Sequence, residues 1–293
     1  MLGPSANFLA IGKELSSLAA SQILVLQAPY EHTVSYGTGT RRGPHAIIEA
    51  SHFVEFYDEE LDRELCNDVG IATLPPLRFD ALADEHALSL LQQTVHDLIA
   101  RKKFVVTLGG EHTISLATIE AHLEEYPDLA VLQFDAHSDL RDTYQRSRYS
   151  HACVMARVSE VIDPRRIVQV GIRAQSVEEA IFIRQRGIHA LYAHHIRGGV
   201  RLAEAVLPHL TDHVYITFDV DAFDPSLMPS TGTPEPNGLY WQETMELLRA
   251  VGEHTTIVGC DVVEFAPLKG LIHPNLTAAK LTYKLMNYAF MAR

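Results

Sequence analysis

The chain has 293 residues with a formal net charge of −13 at pH 7, and 47% of its residues are hydrophobic. This composition is typical of a folded globular protein, and the acidic balance argues against a nucleic-acid partner, which requires a basic surface. The three cysteines are too few and too widely spaced for a disulfide framework or a zinc knuckle. Because no signal-peptide pattern and no membrane-length apolar run is recognisable, we expect a cytoplasmic protein without membrane contact.

Apolar runs alternate with segments of helical spacing along the whole chain. Strands are predicted at 23–27, 104–108, 129–135, 166–172, 188–192, 214–219 and 256–264, with a further short strand within the polar stretch 58–80. Helices are predicted at 44–51, 80–101, 114–125, 150–158, 177–186, 200–207, 239–251 and 276–290. This alternation, with several almost wholly apolar strands, indicates an α/β fold with a parallel sheet covered on both faces. No linker or repeat divides the chain, so we predict a single domain over residues 1–293.

Polar residues stand where several of the predicted strands end. Gly-Gly-Glu-His-Thr at 109–113 follows one strand, Asp-Ala-His-Ser-Asp at 135–139 follows the next, and Asp-Val-Asp at 219–221 follows a later one. The last strand ends in Asp-Val-Val-Glu at 261–264. Because open parallel sheets bind ligands beyond the carboxyl ends of their strands, we expect these four segments to meet.

Three of these strand ends supply side chains of the types that bind metal ions: His112, Asp135, His137, Asp139, Asp219 and Asp221. A single Asp-x-Asp pair is commonly only a loop-capping feature, but three such motifs on one sheet predict a metal centre. Six ligands exceed the need of one open site and suit two ions about 3.5–4 Å apart. Four aspartates balance two divalent cations, and this oxygen-rich set without cysteine favours manganese.

The motifs at 109–113, 135–139 and 219–226 resemble the three signature motifs of the ureohydrolase family, which includes arginases, agmatinases and formimidoylglutamases. The resemblance covers about residues 22 to 291 and includes Pro-Ser-Thr-Gly-Thr-Pro at 229–234. It implies a three-layer α/β/α fold with an eight-stranded, mainly parallel sheet of the arginase-like type. It also implies a centre with two Mn²⁺ ions and hydrolysis of a guanidino group to an amine and urea.

The resemblance assigns the six ligands to two ions: His112 and Asp139 to one, His137 and Asp221 to the other, with Asp135 and Asp219 as bridges. Asp139 would also hold the attacking hydroxide by a hydrogen bond. Dividing His137 and Asp139 between two ions implies that the chain leaves ideal strand geometry after Asp135. One departure is Glu111, where the family usually has Asp; this puts the geometry around the ligands in doubt more than metal binding.

The resemblance also implies two further site residues, both for catalysis and substrate binding. His151 lies where the family places a catalytic histidine, and its near-neutral pKa suits transfer of a proton to the leaving amine. The alternative is an ordinary histidine at the start of a helix. Glu264 resembles the glutamate that binds the guanidinium, a planar cation that favours a carboxylate partner. The alternative is a surface glutamate at a strand end.

The expected substrate is a small cationic guanidino compound. Arginases recognise the amino-acid end of their substrate through an Asn at the position of Arg141, so arginase is disfavoured. Formimidoylglutamases often have Asp-Leu-Arg here, but they typically lack a histidine corresponding to His151. The segment 149–155 most resembles prokaryotic agmatinases, which convert agmatine to urea and putrescine. Aminopropyl-agmatine is an alternative substrate that the motifs do not separate from agmatine.

Two alternatives come from other functional classes. A mononuclear metal-dependent amide deacetylase uses a related fold, and a metal content near one ion per chain would favour it. A non-catalytic protein on this fold should have lost ligands, whereas all six are present. Because family members are commonly trimers or hexamers, the resemblance also implies a homo-oligomer.

Overall fold

The computed structural model describes residues 1–291, which form an eight-stranded sheet. The strands are β1 (Ile23–Ala28), β2 (Ile71–Thr73), β3 (Phe104–Gly109), β4 (Ala130–Phe134), β5 (Ile167–Ile172), β6 (His189–Tyr192), β7 (His213–Asp219) and β8 (Thr256–Val263). Their order is β2-β1-β3-β8-β7-β4-β5-β6, and every pairing is parallel. The predicted arginase-like sheet is therefore confirmed, and it is wholly rather than mainly parallel.

Helices cover both faces of the sheet. In residues 1–291 the α-helices are α1 (Gly43–Ser51), α2 (Leu65–Val69), α3 (Asp84–Ile99), α4 (Ile114–Glu125), α5 (Val154–Val161), α6 (Val177–Arg186), α7 (Ala193–Arg197), α8 (Leu202–Val206), α9 (Trp241–His254) and α10 (His273–Ala289). Side chains alternate across a strand, so Val25 packs into a core with α1, α9 and α10, while Leu24 packs into a second core with α3, α4 and α5. These two cores make the three layers.

Short helices are where the predicted elements differ most from the structure. Helices α2 and α7 have five residues each and were not predicted, because so few residues carry little hydrophobic periodicity. The short strand expected within 58–80 is β2. The helix predicted at 150–158 begins instead as a 3-10 turn at His151–Cys153, and α5 follows after Cys153, whose ψ of 0° interrupts α-helical geometry.

The centre of the sheet positions the candidate site. Strands β3, β8, β7 and β4 are neighbours, and the four polar segments identified in the sequence lie at their carboxyl ends or directly after them. All eight strands join one sheet, and the single domain stays a prediction. No helix in residues 1–291 combines the length and the apolar character that crossing a membrane requires.

His122 of α4 is a buried histidine outside this site. Its Nδ1 lies 2.7 Å from the carbonyl oxygen of Thr118, and its ring packs 4.8 Å from the ring of Tyr215, centroid to centroid. Gly259 leaves room for the imidazole, because a Cβ at that position would lie 2.2 Å from Nε2. Burial lowers the pKa of His122 to about 4, so the folded chain holds this side chain neutral.

We expect the free energy of unfolding to fall as the pH decreases from 6.5 towards 4. In this range the unfolded chain binds a proton at residue 122 and the folded chain does not. The free energy of unfolding is therefore lower by about 2 kcal/mol at pH 5 than at neutral pH. Urea unfolding at a series of pH values should show that His122→Gln removes this part of the pH dependence. The exposed His86 of α3 provides the matched control, His86→Gln. Equal pH dependence of wild type and His122→Gln would contradict the prediction.

Candidate active site

The Gly-Gly turn after β3 places His112 at the centre of the sheet edge. Gly110 passes so close to the loop after β1 that a Cβ there would lie 1.9 Å from the carbonyl oxygen of Tyr30. Only glycine allows this approach. The backbone N–H of Glu111 donates to the same carbonyl at 2.8 Å, and His112 is then buried just before α4.

The second motif leaves the strand as soon as β4 ends at Phe134. The backbone N–H of His137 donates to Asp135 Oδ1 at 2.6 Å, which folds the chain back on itself. Asp139 has a φ of 52°, in the left-handed region. This turn, rather than the alternation of an extended strand, brings the three side chains of the motif together.

The third motif is tied to the second by backbone donors. Asp219 is the last residue of β7, and Asp221 lies in the 3-10 turn Val220–Ala222. The N–H of Asp221 donates to Asp219 Oδ1 at 2.8 Å, and the N–H of Ala136 donates to Asp221 Oδ1 at 3.0 Å. The two aspartates of the third motif are therefore oriented by main-chain groups.

His112 and His137 each face several carboxylates. His112 Nδ1 lies 3.1 Å from oxygens of Asp135 and of Asp139, and 3.4 Å from Asp219. His137 Nδ1 lies 3.0 Å from Asp221 and 3.6 Å from Asp135. The structure thus brings all six predicted ligands together: His112, Asp135, His137, Asp139, Asp219 and Asp221.

Two groups of ligand atoms can be distinguished within this cluster. In each group the atoms lie within 4.8 Å of one another: His112 with Asp135 and Asp219, and His137 with Asp135 and Asp221. Asp135 belongs to both groups, as a bridging ligand would. Asp219 belongs to the first group only, so its bridging role stays a prediction.

The negative charge of the four aspartates in this cluster needs compensation by cationic groups. Burial and the charge of Asp135 raise the pKa of Asp139 to about 7, and burial with the charge of Asp221 raises the pKa of Asp219 well above its usual range. Burial disfavours the charged form of His137, but the neighbouring carboxylates outweigh it and raise its pKa to about 12. The four carboxylates in this space are therefore ionised together only when protonated histidines or metal ions compensate their negative charge.

Thr217 orients the imidazole of His112. His112 Nε2 lies 2.9 Å from Thr217 Oγ1, and this hydroxyl donates to Asp261 Oδ1 at 2.7 Å. Since the hydroxyl has one proton, it accepts from Nε2–H, so Nδ1 is the nitrogen that can release its proton to bind a cation. His112 Nδ1 is buried without a hydrogen-bond partner among the described residues, as expected of a nitrogen whose lone pair is kept for a metal.

Two buried glutamines support Asp135 from behind. Gln133 Nε2 donates to Asp135 Oδ2 at 2.7 Å, and Gln169 Nε2 donates to Gln133 Oε1 at 2.6 Å. Sequence reasoning missed these residues and Thr217. The available signal was a polar side chain in the middle of an otherwise apolar strand, at Gln133 in β4, Gln169 in β5 and Thr217 in β7.

Arg173 was also missed, and it holds the third motif in place. Its guanidinium donates to the carbonyl oxygens of Asp221 at 2.7 Å and of Glu235 at 2.9 Å. The same group lies 3.3 Å from the carbonyl oxygen of Ala222. One side chain therefore joins the turn that carries Asp221 to the loop that follows it.

A cavity of about 190 Å³ opens onto the cluster. Its walls include ligands of both groups and both predicted catalytic residues, His151 and Glu264. Glu264 has a φ of 60° and its Oε1 accepts the backbone N–H of His112 at 2.7 Å, so Oε2 is the oxygen placed for a further partner. Burial, with the charge of Glu111, raises the pKa of Glu264 well above its usual range.

His151 is held by the loop after β1. Its backbone N–H donates to Thr33 Oγ1 at 3.0 Å, its Nδ1 lies 3.3 Å from the same hydroxyl, and its Nε2 lies 3.4 Å from Ser35 Oγ. Burial lowers the pKa of His151 to about 4. The side chain is therefore neutral at pH 7. The contribution of this loop was not predicted, because it contains no motif.

Comparisons with known proteins agree with this architecture. The family model that matches residues 21–288 is that of the arginase family. The chain is 38% identical over 280 residues to the N(1)-aminopropylagmatine ureohydrolase of Synechocystis sp., covering 94% of this chain and 91% of that one. It is 34% identical over 262 residues to the agmatinase of Bacillus cereus, covering 87% of each.

The fold has a similar counterpart among solved structures. The crystal structure of the agmatine ureohydrolase of Thermoplasma volcanium matches with a TM-score of 0.85 at 28% identity, covering 94% of this chain and 92% of that one. The family resemblance and the enzyme class predicted from the motifs are thereby confirmed. With a family model and two relatives above 30% identity agreeing over most of its length, the chain belongs to the arginase family of hydrolases.

Proposed function

We propose that this chain hydrolyses the guanidino group of agmatine or of an agmatine derivative, releasing urea and putrescine or the corresponding polyamine. Relatives named as an agmatinase and as an N(1)-aminopropylagmatine ureohydrolase support this substrate class. The observation that carries the proposal is the shared cavity: Glu264 and His151 line the same space as the metal-binding cluster. A carboxylate for the guanidinium and a proton carrier thus stand beside the ligands.

The six ligands fit two Mn²⁺ ions, by the assignment that the resemblance implies. His112 and Asp139 would hold one ion and His137 and Asp221 the other, with Asp135 and Asp219 as bridges. The fit rests on the buried lone pair of His112 Nδ1 and on an oxygen-rich set without cysteine, which suits manganese. When bound, the two ions lower the pKa of a coordinated water and so supply the nucleophile.

Glu264 binds and orients the guanidinium in this proposal. Because Oε1 is used by the backbone N–H of His112, Oε2 accepts from the substrate. A guanidinium near Glu264 also supplies the positive charge that its buried carboxylate lacks. Asp139, in the wall of the same cavity, accepts a hydrogen bond from the attacking water.

His151 carries the proton to the leaving amine. The oxygen of the attacking water bonds to the guanidino carbon, the bond from that carbon to the chain nitrogen breaks, and this nitrogen takes the electron pair and both protons of the water, which leaves urea and an ammonium group. His151 is neutral at rest, so it first accepts a proton from the water and then donates it to the amine. A protonated imidazole with so low a pKa gives its proton readily to the more basic amine, which favours the second transfer.

A guanidino substrate with a carboxylate tail is the second candidate, and Arg141 is the observation that favours it. Arg141 lines the cavity, with its guanidinium carbon 5.2 Å from the centre of the Tyr144 ring. Its Nε lies 3.7 Å from a carboxylate oxygen of Glu179. An arginine in this position can meet a carboxylate, as the resemblance to formimidoylglutamases suggests.

Location and assembly stay predictions. A cytoplasmic enzyme that forms a trimer or a hexamer is what the sequence leads us to expect, and its partner would be a small cationic guanidino compound.

Metal content should depend on His112. We expect His112→Ala to lower bound manganese from two ions per chain to at most one, and kcat/KM by about 10³-fold or more. The exposed His86→Ala is the matched control and should retain two ions. Metal analysis after equilibration with Mn²⁺ decides this point. A content near one ion in the wild type would instead favour the mononuclear deacetylase alternative.

The two catalytic residues should affect different kinetic constants. We expect His151→Gln to lower kcat by about 10²–10³-fold with little change in KM, because proton transfer and not binding is impaired. Glu264→Gln should raise KM by about tenfold or more, because the partner charge of the guanidinium is lost. Steady-state kinetics with unchanged manganese content measures both. The assignment is wrong if the two variants show the same pattern.

Substrate class can be tested by urea release with and without Mn²⁺. We expect agmatine or aminopropyl-agmatine to give the highest kcat/KM, followed by arginine and guanidino acids. Arg141→Gln should then raise kcat/KM for the cationic substrates, because a like charge leaves the cavity. If a carboxylate-bearing substrate is the natural one, the same variant should lower its kcat/KM by about tenfold or more. No urea from any of these compounds would contradict the proposed function.

A further inference from the structure

We propose that Glu111, acting through Thr33, is a positioning residue that fixes the tautomer of His151. The proton is held on Nδ1, so that Nε2 stays free to accept a proton from the cavity. This inference rests on the proposed function, in which His151 serves the leaving amine. Three segments meet to form the contact: the loop after β1, the turn after β3 and the 3-10 turn before α5.

The carboxylate of Glu111 is fully buried and surrounded by donors. Its Oε2 accepts the backbone N–H groups of His32 and Thr33, both at 2.6 Å. Its Oε1 accepts the hydroxyl of Thr33 at 2.7 Å and that of Thr113 at 2.9 Å. A carboxylate can only accept. The hydroxyl proton of Thr33 therefore points to Glu111.

The two lone pairs of the Thr33 hydroxyl oxygen face His151. A hydroxyl has one proton and two lone pairs, and the proton is already used on Glu111. One lone pair accepts the backbone N–H of His151 at 3.0 Å. The other can accept only from Nδ1, 3.3 Å away, so Nδ1 carries the ring proton.

Nε2 is thereby the unprotonated nitrogen of His151. It lies 3.4 Å from Ser35 Oγ, and Ser35 lines the same cavity as His151 and Glu264. A tautomer with the proton on Nε2 would present a donor to the cavity and could not accept from the attacking water. The network of Glu111 and Thr33 excludes that tautomer.

The structure contains the same arrangement a second time, at a metal ligand. Asp261 accepts the hydroxyl of Thr217, and Thr217 faces Nε2 of His112. There the hydroxyl meets Nε2 and leaves Nδ1 to the metal, whereas Thr33 meets Nδ1 and leaves Nε2 to the substrate. In both cases a buried carboxylate decides, through one threonine, which ring nitrogen is free.

The length of the Glu111 side chain, compared with that of Asp, suits this role. The side chain of Glu is longer by one carbon–carbon bond, about 1.5 Å. The carboxylate of Glu111 accepts from two backbone N–H groups and two hydroxyls, and it reaches Thr33, 78 residues earlier in the chain.

The test compares variants of Thr33 in two backgrounds. In the wild type we expect Thr33→Val to lower kcat by about 10²-fold with KM and manganese content retained, because proton transfer is impaired. Thr33→Ser keeps the hydroxyl and should restore kcat to within about threefold. In the His151→Gln background, Thr33→Val should have little further effect, because the two residues act as one unit.

Thr113→Val is the matched control. It removes the other hydroxyl from the same carboxylate and leaves the contact between Thr33 and His151 intact, so its effect on kcat should be much smaller than that of Thr33→Val. Equal losses for Thr33→Val in both backgrounds would mean that Thr33 only stabilises the loop. That result, or a Thr33→Ser variant as impaired as Thr33→Val, would overturn the proposal.

A measurement that needs no turnover separates this inference from the proposed function. Neutron diffraction from crystals of the full chain at pH 8 shows where deuterium resides. We expect deuterium on Nδ1 of His151 and the Thr33 hydroxyl directed at Glu111. Deuterium on Nε2, with Thr33 donating to Nδ1, would overturn the tautomer whatever the substrate is. Absence of urea release by the wild type would contradict the proposed function alone.

Discussion

Repulsion among four aspartates in one buried space is the constraint on which the rest of the structure depends. Asp135, Asp139, Asp219 and Asp221 are each at most 6% exposed, at the carboxyl ends of the central strands. Ionised carboxylates in such a space need cations and fixed donors around them. Backbone N–H groups and the buried glutamines orient the oxygens, and the two histidines complete a set that suits divalent metal ions. The parallel sheet is what brings these segments to one place.

Histidine chemistry in this site depends on hydroxyl groups as much as on carboxylates. An imidazole offers two nitrogens, and a metal ligand or a proton carrier needs one of them unprotonated. The threonines at 217 and 33 meet opposite nitrogens of His112 and His151. A threonine hydroxyl thus leaves Nδ1 of His112 available for the proposed metal binding and Nε2 of His151 available for the proposed proton transfer.

Local sequence patterns were sufficient for the sheet and for the cluster of ligands. Apolar runs that end in Asp and His mark both a strand and its polar end, so the six side chains of the cluster could be named before the fold was known. Thr33 could not, because it meets Glu111 and His151 across 78 and 118 residues and has no motif of its own. The role of Arg173 is likewise visible only in three dimensions, since its partners are backbone carbonyls that any sequence would supply. Helices α2 and α7 were missed because five residues are shorter than two turns of periodicity.

The left-handed backbone conformation at Asp139 and Glu264 limits which substitutions can be accepted at these positions during evolution. A non-glycine residue in this conformation costs about 1 kcal/mol or more, and glycine would relieve it. Glycine at either position would also delete a carboxylate from the cavity. Selection for stability and selection for activity therefore oppose each other at these two residues, and a descendant that no longer needed the reaction could gain stability there.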